Sequence, residues 1–113
     1  MNSQQLEVLA LAVSEMNSAT NPKSEAFAYR NPGKLRAPNG DLRNFSTWSG
    51  GLKSLISDIS RFDGNTPVLE VFKYYGGLTI EREFLALDFL TQALGFTVGP
   101  NTPIGAASDP QES

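Results

Sequence analysis

Between Trp48 and Phe62 the apolar residues Trp48, Leu52, Leu55, Ile59 and Phe62 return at intervals of four, three, four and three. That spacing lines one face of a helix and cannot line one face of a strand. It predicts a helix from about Thr47 to Phe62, with Ser46, Thr47 and Ser49 as available caps. The same interval recurs in Leu6, Leu9, Val13 and Met16, predicting a helix over Ser3–Met16. It recurs again in Ile80, Phe84, Leu87 and Leu94, joined by Leu90, predicting a helix over Ile80–Leu94 that Thr79 caps and Gly95 ends. Thr66-Pro67 reads as the cap and first residue of a shorter helix, which buries Val68, Leu69 and Phe72 and stops at Tyr74-Tyr75-Gly76-Gly77. In a chain of 113 residues these faces have room for one core.

Two details conflict with ordinary helix chemistry. Glu15 stands at the end of the first helix, where the dipole disfavours an anion. Gly50-Gly51 sits in the first turn of the second, at a cost of about 1 kcal/mol per glycine, and suggests close approach of another chain segment or a later helix start. The connection between these helices is rich in turn residues. Asn31-Pro32-Gly33 and Pro38-Asn39-Gly40 predict two tight turns, with short strands at about 34–37 and 41–45 forming a hairpin. The fold class expected is therefore α+β, with about four helices and one short hairpin packed on them. A single domain is expected over 1–96. The segment 97–113, rich in proline and nearly free of apolar residues, is expected as an extended or disordered tail.

Composition removes much chemistry. There is no cysteine and no histidine, which excludes disulfides, thiol nucleophiles, Cys/His zinc sites and serine triads with a histidine base. Nine basic against twelve acidic residues give a formal charge of −3. This argues against nucleic acid as a general partner. No phosphate-binding glycine loop or calcium loop occurs, so no cofactor and no metal are expected. No segment has the length of a membrane span or the pattern of a signal peptide. The expected location is cytoplasmic as encoded, with export by another route left open. The oligomeric state is not legible.

The order helix ending in Glu15, polar loop, Tyr29-Arg30-Asn31-Pro32-Gly33-Lys34-Leu35-Arg36, aromatic Phe45-Ser46-Thr47-Trp48 and helix opening on Gly50-Gly51-Leu52 resembles the small lysozyme-like domains of bacteria and their phages. The resemblance covers about residues 5–95. Glu15 precedes Asn31 by sixteen positions, as in that family. Met16, Arg30 and Lys34 stand where the family usually has Gly, Asn and Asn. The resemblance implies a peptidoglycan-cleaving glycosidase or lytic transglycosylase with Glu15 as the single general acid/base. Peptidoglycan or a related glycan would be the partner, bound by Tyr29, Asn31, Arg36, Asp41 and Tyr75. Each has a plainer role as well. Glu15 can be a solvated surface carboxylate. Asp41 after Asn-Gly is normal turn chemistry, Asn31 can close a turn into Pro32, and Arg36 can cap carbonyls. Trp48 heads an apolar stripe and is expected in the core. Of Tyr74 and Tyr75, only one can face inward. The alternative from another class is a non-catalytic glycan-binding or protein-interaction module on the same fold.

Overall fold

The computed structural model describes residues 3–18, 21–76 and 79–107. Six helical segments follow in order: α1 (Ser3–Met16), α2 (Glu25–Ala28), α3 (Trp48–Ile59), α4 (Val68–Gly76), α5 (Ile80–Leu94) and α6 (Ile104–Ala107). Helix α1 is the central one. Leu9, Ala10, Ala12 and Val13 are all fully buried, so more than one face of the helix is covered. This follows from the run Val8–Val13, in which alanines let neighbours approach on sides that an amphipathic helix would leave to water. Helix α1 packs most extensively on α5, then on α3 and α4. Leu55 and Ile59 of α3, Val68, Val71 and Phe72 of α4, and Ala86 and Leu90 of α5 complete the core. Trp48 is only half-buried and lies outside that cluster.

Thr47 and Thr79 cap α3 and α5 by accepting from the N–H groups of Gly50 and Arg82, and Gly95 closes α5 in the left-handed conformation. The dipole conflict at Glu15 is met from elsewhere in the chain. The Arg82 guanidinium of α5 donates to the Met16 carbonyl at 2.7 Å, placing a cation at the C-terminus of α1. Gly51 is where another segment comes close: a Cβ there would collide with the carbonyl oxygen of Arg30.

The expected α+β class is overturned. Among the described residues there is no strand or sheet, and the fold is all-α. Both turns of the expected hairpin exist, but only Arg36 and Leu42 form an antiparallel bridge. The physical reason is asparagine. Opposed residues 35 and 43 would exchange two backbone bonds in a regular ladder. One is made, Arg43 N–H to the Leu35 carbonyl at 3.0 Å. The other is intercepted: Leu35 N–H donates to Asn31 Oδ1 at 2.8 Å, and Asn31 Nδ2 donates to the Arg43 carbonyl at 2.9 Å. At the tip, the Asp41 N–H likewise donates to Asn39 Oδ1 rather than to backbone. Side-chain amides that mimic backbone compete with ladders in this way. Lys34, at φ +50°, also takes the chain out of the extended region where the first strand would begin.

The segment expected as a tail from residue 97 is built into the fold as far as residue 107. Val98 and Ile104 are buried. The first amides of α4 donate to it, Val68 to the Thr102 carbonyl at 2.9 Å and Leu69 to the Pro100 carbonyl at 3.0 Å. Ile104 and Gly105 donate back to Thr66 and Gly64. Residues 108–113 lie outside the described residues.

Candidate functional site

The loop 31–45 stands over α3 because its base is fixed to three elements. The Asn31 N–H donates to the Ala26 carbonyl of α2 at 2.8 Å. Asn17, buried just after α1, donates from Nδ2 to the Pro32 carbonyl at 3.0 Å. Gly33 lies so close to Leu55 of α3 that a Cβ would strike its side chain. Asn31 itself is fully buried, and its side chain also donates to the Leu35 carbonyl at 2.9 Å. It anchors the loop from below and has no surface to offer a ligand.

Between this loop, α3 and the end of α4 runs an open groove of about 940 Å³. One wall is loop, with Lys34, Arg36 and Arg43. The other is the polar stripe of α3, with Ser54, Ser57 and Asp58, and Arg61 just beyond the helix; Tyr74 and Tyr75 close the end. Asp58 organises that end. Its carboxylate accepts from Arg61 Nη2 at 2.7 Å and from the Tyr75 hydroxyl at 2.6 Å. Arg61 Nη2 also donates to the Tyr74 hydroxyl at 3.3 Å. Burial, reinforced by the bond to the Asp58 carboxylate, pushes the Tyr75 phenol well above its ordinary value, so it stays a donor at any physiological pH. The rings of Tyr74, Tyr75 and Phe62 meet edge to face, at centroid separations of 5.0–6.1 Å. Tyr75 is buried within this group, while Tyr74, 61% exposed, turns its ring to solvent.

The loop cations are held in different ways. Arg36 Nη1 donates to the Gly40 carbonyl at 2.9 Å, and the Arg43 guanidinium lies 4.6 Å from the centre of the Phe45 ring. The Lys34 ammonium has no hydrogen-bond or ion-pair partner among the described residues.

Of the residues expected to bind substrate, the groove brings together Arg36 and Tyr75. Asn31 lies beneath it. Tyr29 is partly exposed, its carbonyl accepting from the Phe45 N–H, and does not line the groove. Asp41 is exposed in the turn and accepts from Asn39 Nδ2 at 3.1 Å, again away from the groove lining. Glu15 is exposed at the end of α1, lines no part of the groove, and has no side-chain partner among the described residues. Ser54, Ser57, Asp58 and Arg61 also line the groove, and no binding role is expected of them from the sequence. Their spacing of three, one and three residues marks one polar stripe beside the apolar stripe of α3, and that stripe was the available signal.

No group of three or more acidic side chains that could hold a metal ion occurs among the described residues. None of their helices is long and apolar enough to cross a membrane. No protein-family model, curated protein or solved structure matches this chain.

Proposed function

We propose that the protein is a glycan-binding domain that holds a peptidoglycan-type strand in the groove between the 31–45 loop and α3, without cleaving it. The observation that carries this reading is the end of the groove. There the exposed Tyr74 ring, buttressed by Tyr75 and Phe62, stands beside Ser57, Ser60 and the Asp58–Arg61 pair. A rigid aromatic face suits the apolar side of a sugar ring, and converging hydroxyl, carboxylate and guanidinium groups suit its hydroxyls. The resemblance of the Asn31–Arg36 stretch to lysozyme-like domains supports the glycan class. Cleavage is the second reading, with Glu15 as general acid/base. It is favoured by the Asn17–Pro32 bond, which fixes the chain two residues after Glu15 to the loop. Against it stands the place of Glu15, which is exposed and lines no part of the groove that would hold the strand.

Co-sedimentation with purified cell-wall sacculi, run beside a turbidity assay, tests both. Binding without clearing is expected, with the bound fraction cut about fivefold in Tyr74→Ala and unchanged in Glu15→Gln. Clearing that Glu15→Gln abolishes would replace binding by cleavage. Failure both to sediment and to clear would remove both readings.

A further inference from the structure

The charge of the groove is opposite to that of the molecule. Lys34, Arg36, Arg43 and Arg61 line it against one carboxylate, Asp58. In a chain of formal charge −3, this leaves a net −6 for everything else. The single carboxylate does not offset the cations evenly. It is engaged by Arg61 and Tyr75 at one end of the groove, while the three loop cations have no acid among their contacts. Arg36 and Arg43 are braced, one on the Gly40 carbonyl and one on Phe45, so little side-chain entropy remains to be lost when they take a ligand. Lys34 is held in the left-handed region, where a lysine costs about 1 kcal/mol or more, and its ammonium is nonetheless free of in-chain partners among the described residues. Strain retained at an unpaired cation in a groove is the pattern of a group kept for a ligand.

We infer that the groove selects an anionic glycan, one that carries carboxylate groups among its acetamido sugars, and that Lys34, Arg36 and Arg43 are the selectivity determinants. The inference rests on the glycan-binding reading and adds the charge of the ligand to it. Arg36 and Arg43 offer planar forks that match a carboxylate, and Lys34, just before them in sequence, a point charge. The net negative charge of the rest of the chain disfavours a polyanion elsewhere, which favours binding in the groove over diffuse adsorption.

Calorimetric titration of the full chain with two probes tests this. One is a hyaluronan oligosaccharide, in which N-acetylglucosamine alternates with a uronic acid. The other is a chitin oligosaccharide of equal length, which has the acetamido sugar and no charge. At about 50 mM salt the hyaluronan probe is expected to bind about tenfold more tightly, with the advantage largely lost near about 300 mM. Lys34→Asn suits the same backbone conformation, so it removes the ammonium without adding strain, and is expected to cut the preference about threefold to fivefold. Arg36→Gln is expected to do the same, while Lys73→Gln, on α4 outside the groove lining, leaves the preference intact. Equal binding of the two probes would overturn the charge inference and leave the glycan reading standing. Loss of preference in Lys73→Gln would assign it to overall charge instead of the groove. In a control titration, oligothymidylate bound as tightly as hyaluronan would replace glycan selection by general polyanion capture. Binding of neither probe would remove the glycan reading along with the inference.

Discussion

The helical core and the 31–45 loop are held by opposite kinds of force. Phe72, Leu9 and Leu55 lie at the centre of the first, fully buried among apolar neighbours. The second has Asn31 at its centre, also fully buried, but surrounded by carbonyl oxygens and an N–H that its amide satisfies. Apolar burial has no direction, so the core tolerates small shifts. Hydrogen bonds have direction, and an unmade one in the interior costs more than a made one contributes. The loop therefore has a more exact shape than its lack of regular structure suggests, and an exact shape is what a binding wall needs.

Substitutions that remove one kind of contact at a time separate the two regions. Phe72→Ala should cost about 3–5 kcal/mol by urea titration and lower the stability of every element together. Asn31→Asp keeps the volume but swaps a donor for an acceptor against the Leu35 and Arg43 carbonyls. It should cost about 2–3 kcal/mol, with hydrogen exchange showing the Leu35 and Arg43 amides deprotected before those of Leu9–Val13. Equal loss of protection in α1 and the loop would show that the two regions do not open separately. Gly51→Ala forces a methyl group onto the Arg30 carbonyl where the regions meet, and should cost about 1–3 kcal/mol.

Tyr75→Phe should cost about 1 kcal/mol near neutral pH, because Asp58 loses its buried donor. Its sharper signature lies in alkali. The phenol is raised above its ordinary value of 10 in the folded state, so the unfolded chain releases a proton that the folded chain keeps. The stabilisation is complete below about pH 10 and falls by about 1.4 kcal/mol per pH unit above it. Wild type should lose stability above that pH more steeply than Tyr75→Phe; parallel slopes would mean that the phenol is not buried. Lys34→Gly should have the smallest effect, a gain of about 0.5 kcal/mol from relief of left-handed strain, read as a small rise in melting temperature.

The helices were legible because their signals are periodic and their ends carry capping chemistry. Leu6 to Met16, Thr79 with Ile80 to Leu94, and Gly95 mark boundaries that the structure reproduces at Ser3–Met16 and Ile80–Leu94. Helices α2 and α6 were not legible, since four residues are too few to show a period. The hairpin misreading is more instructive. Asn39-Gly40 does form its turn, but turn residues report only the reversal of the chain. Whether two arms form a ladder depends on what else can reach their amides, and Asn31, four residues before Leu35, reaches first. The site was partly legible. Arg36 and Tyr75 could be named from the loop motif and the tyrosine pair, whereas Asp58 reads as an ordinary solvated helix residue until Tyr75 is seen to donate to it. Glu15 drew notice through its conflict with the helix dipole, which Arg82 resolves from sixty-seven residues away in sequence.

The return of residues 100–105 to the start of α4 has a consequence for how the molecule comes into being. The first amides of α4 have their acceptors in the Thr102 and Pro100 carbonyls, more than thirty residues downstream. On a translating ribosome, α4 would emerge with those amides facing water and would stay so until the later segment had cleared the exit tunnel. Helices α1 and α3 can meet before that moment, but α4 cannot be sealed. Sealing the start of α4 therefore waits on the docking of Val98 and Ile104, and a stall in translation before Pro100 would leave the Val68 and Leu69 amides without these acceptors.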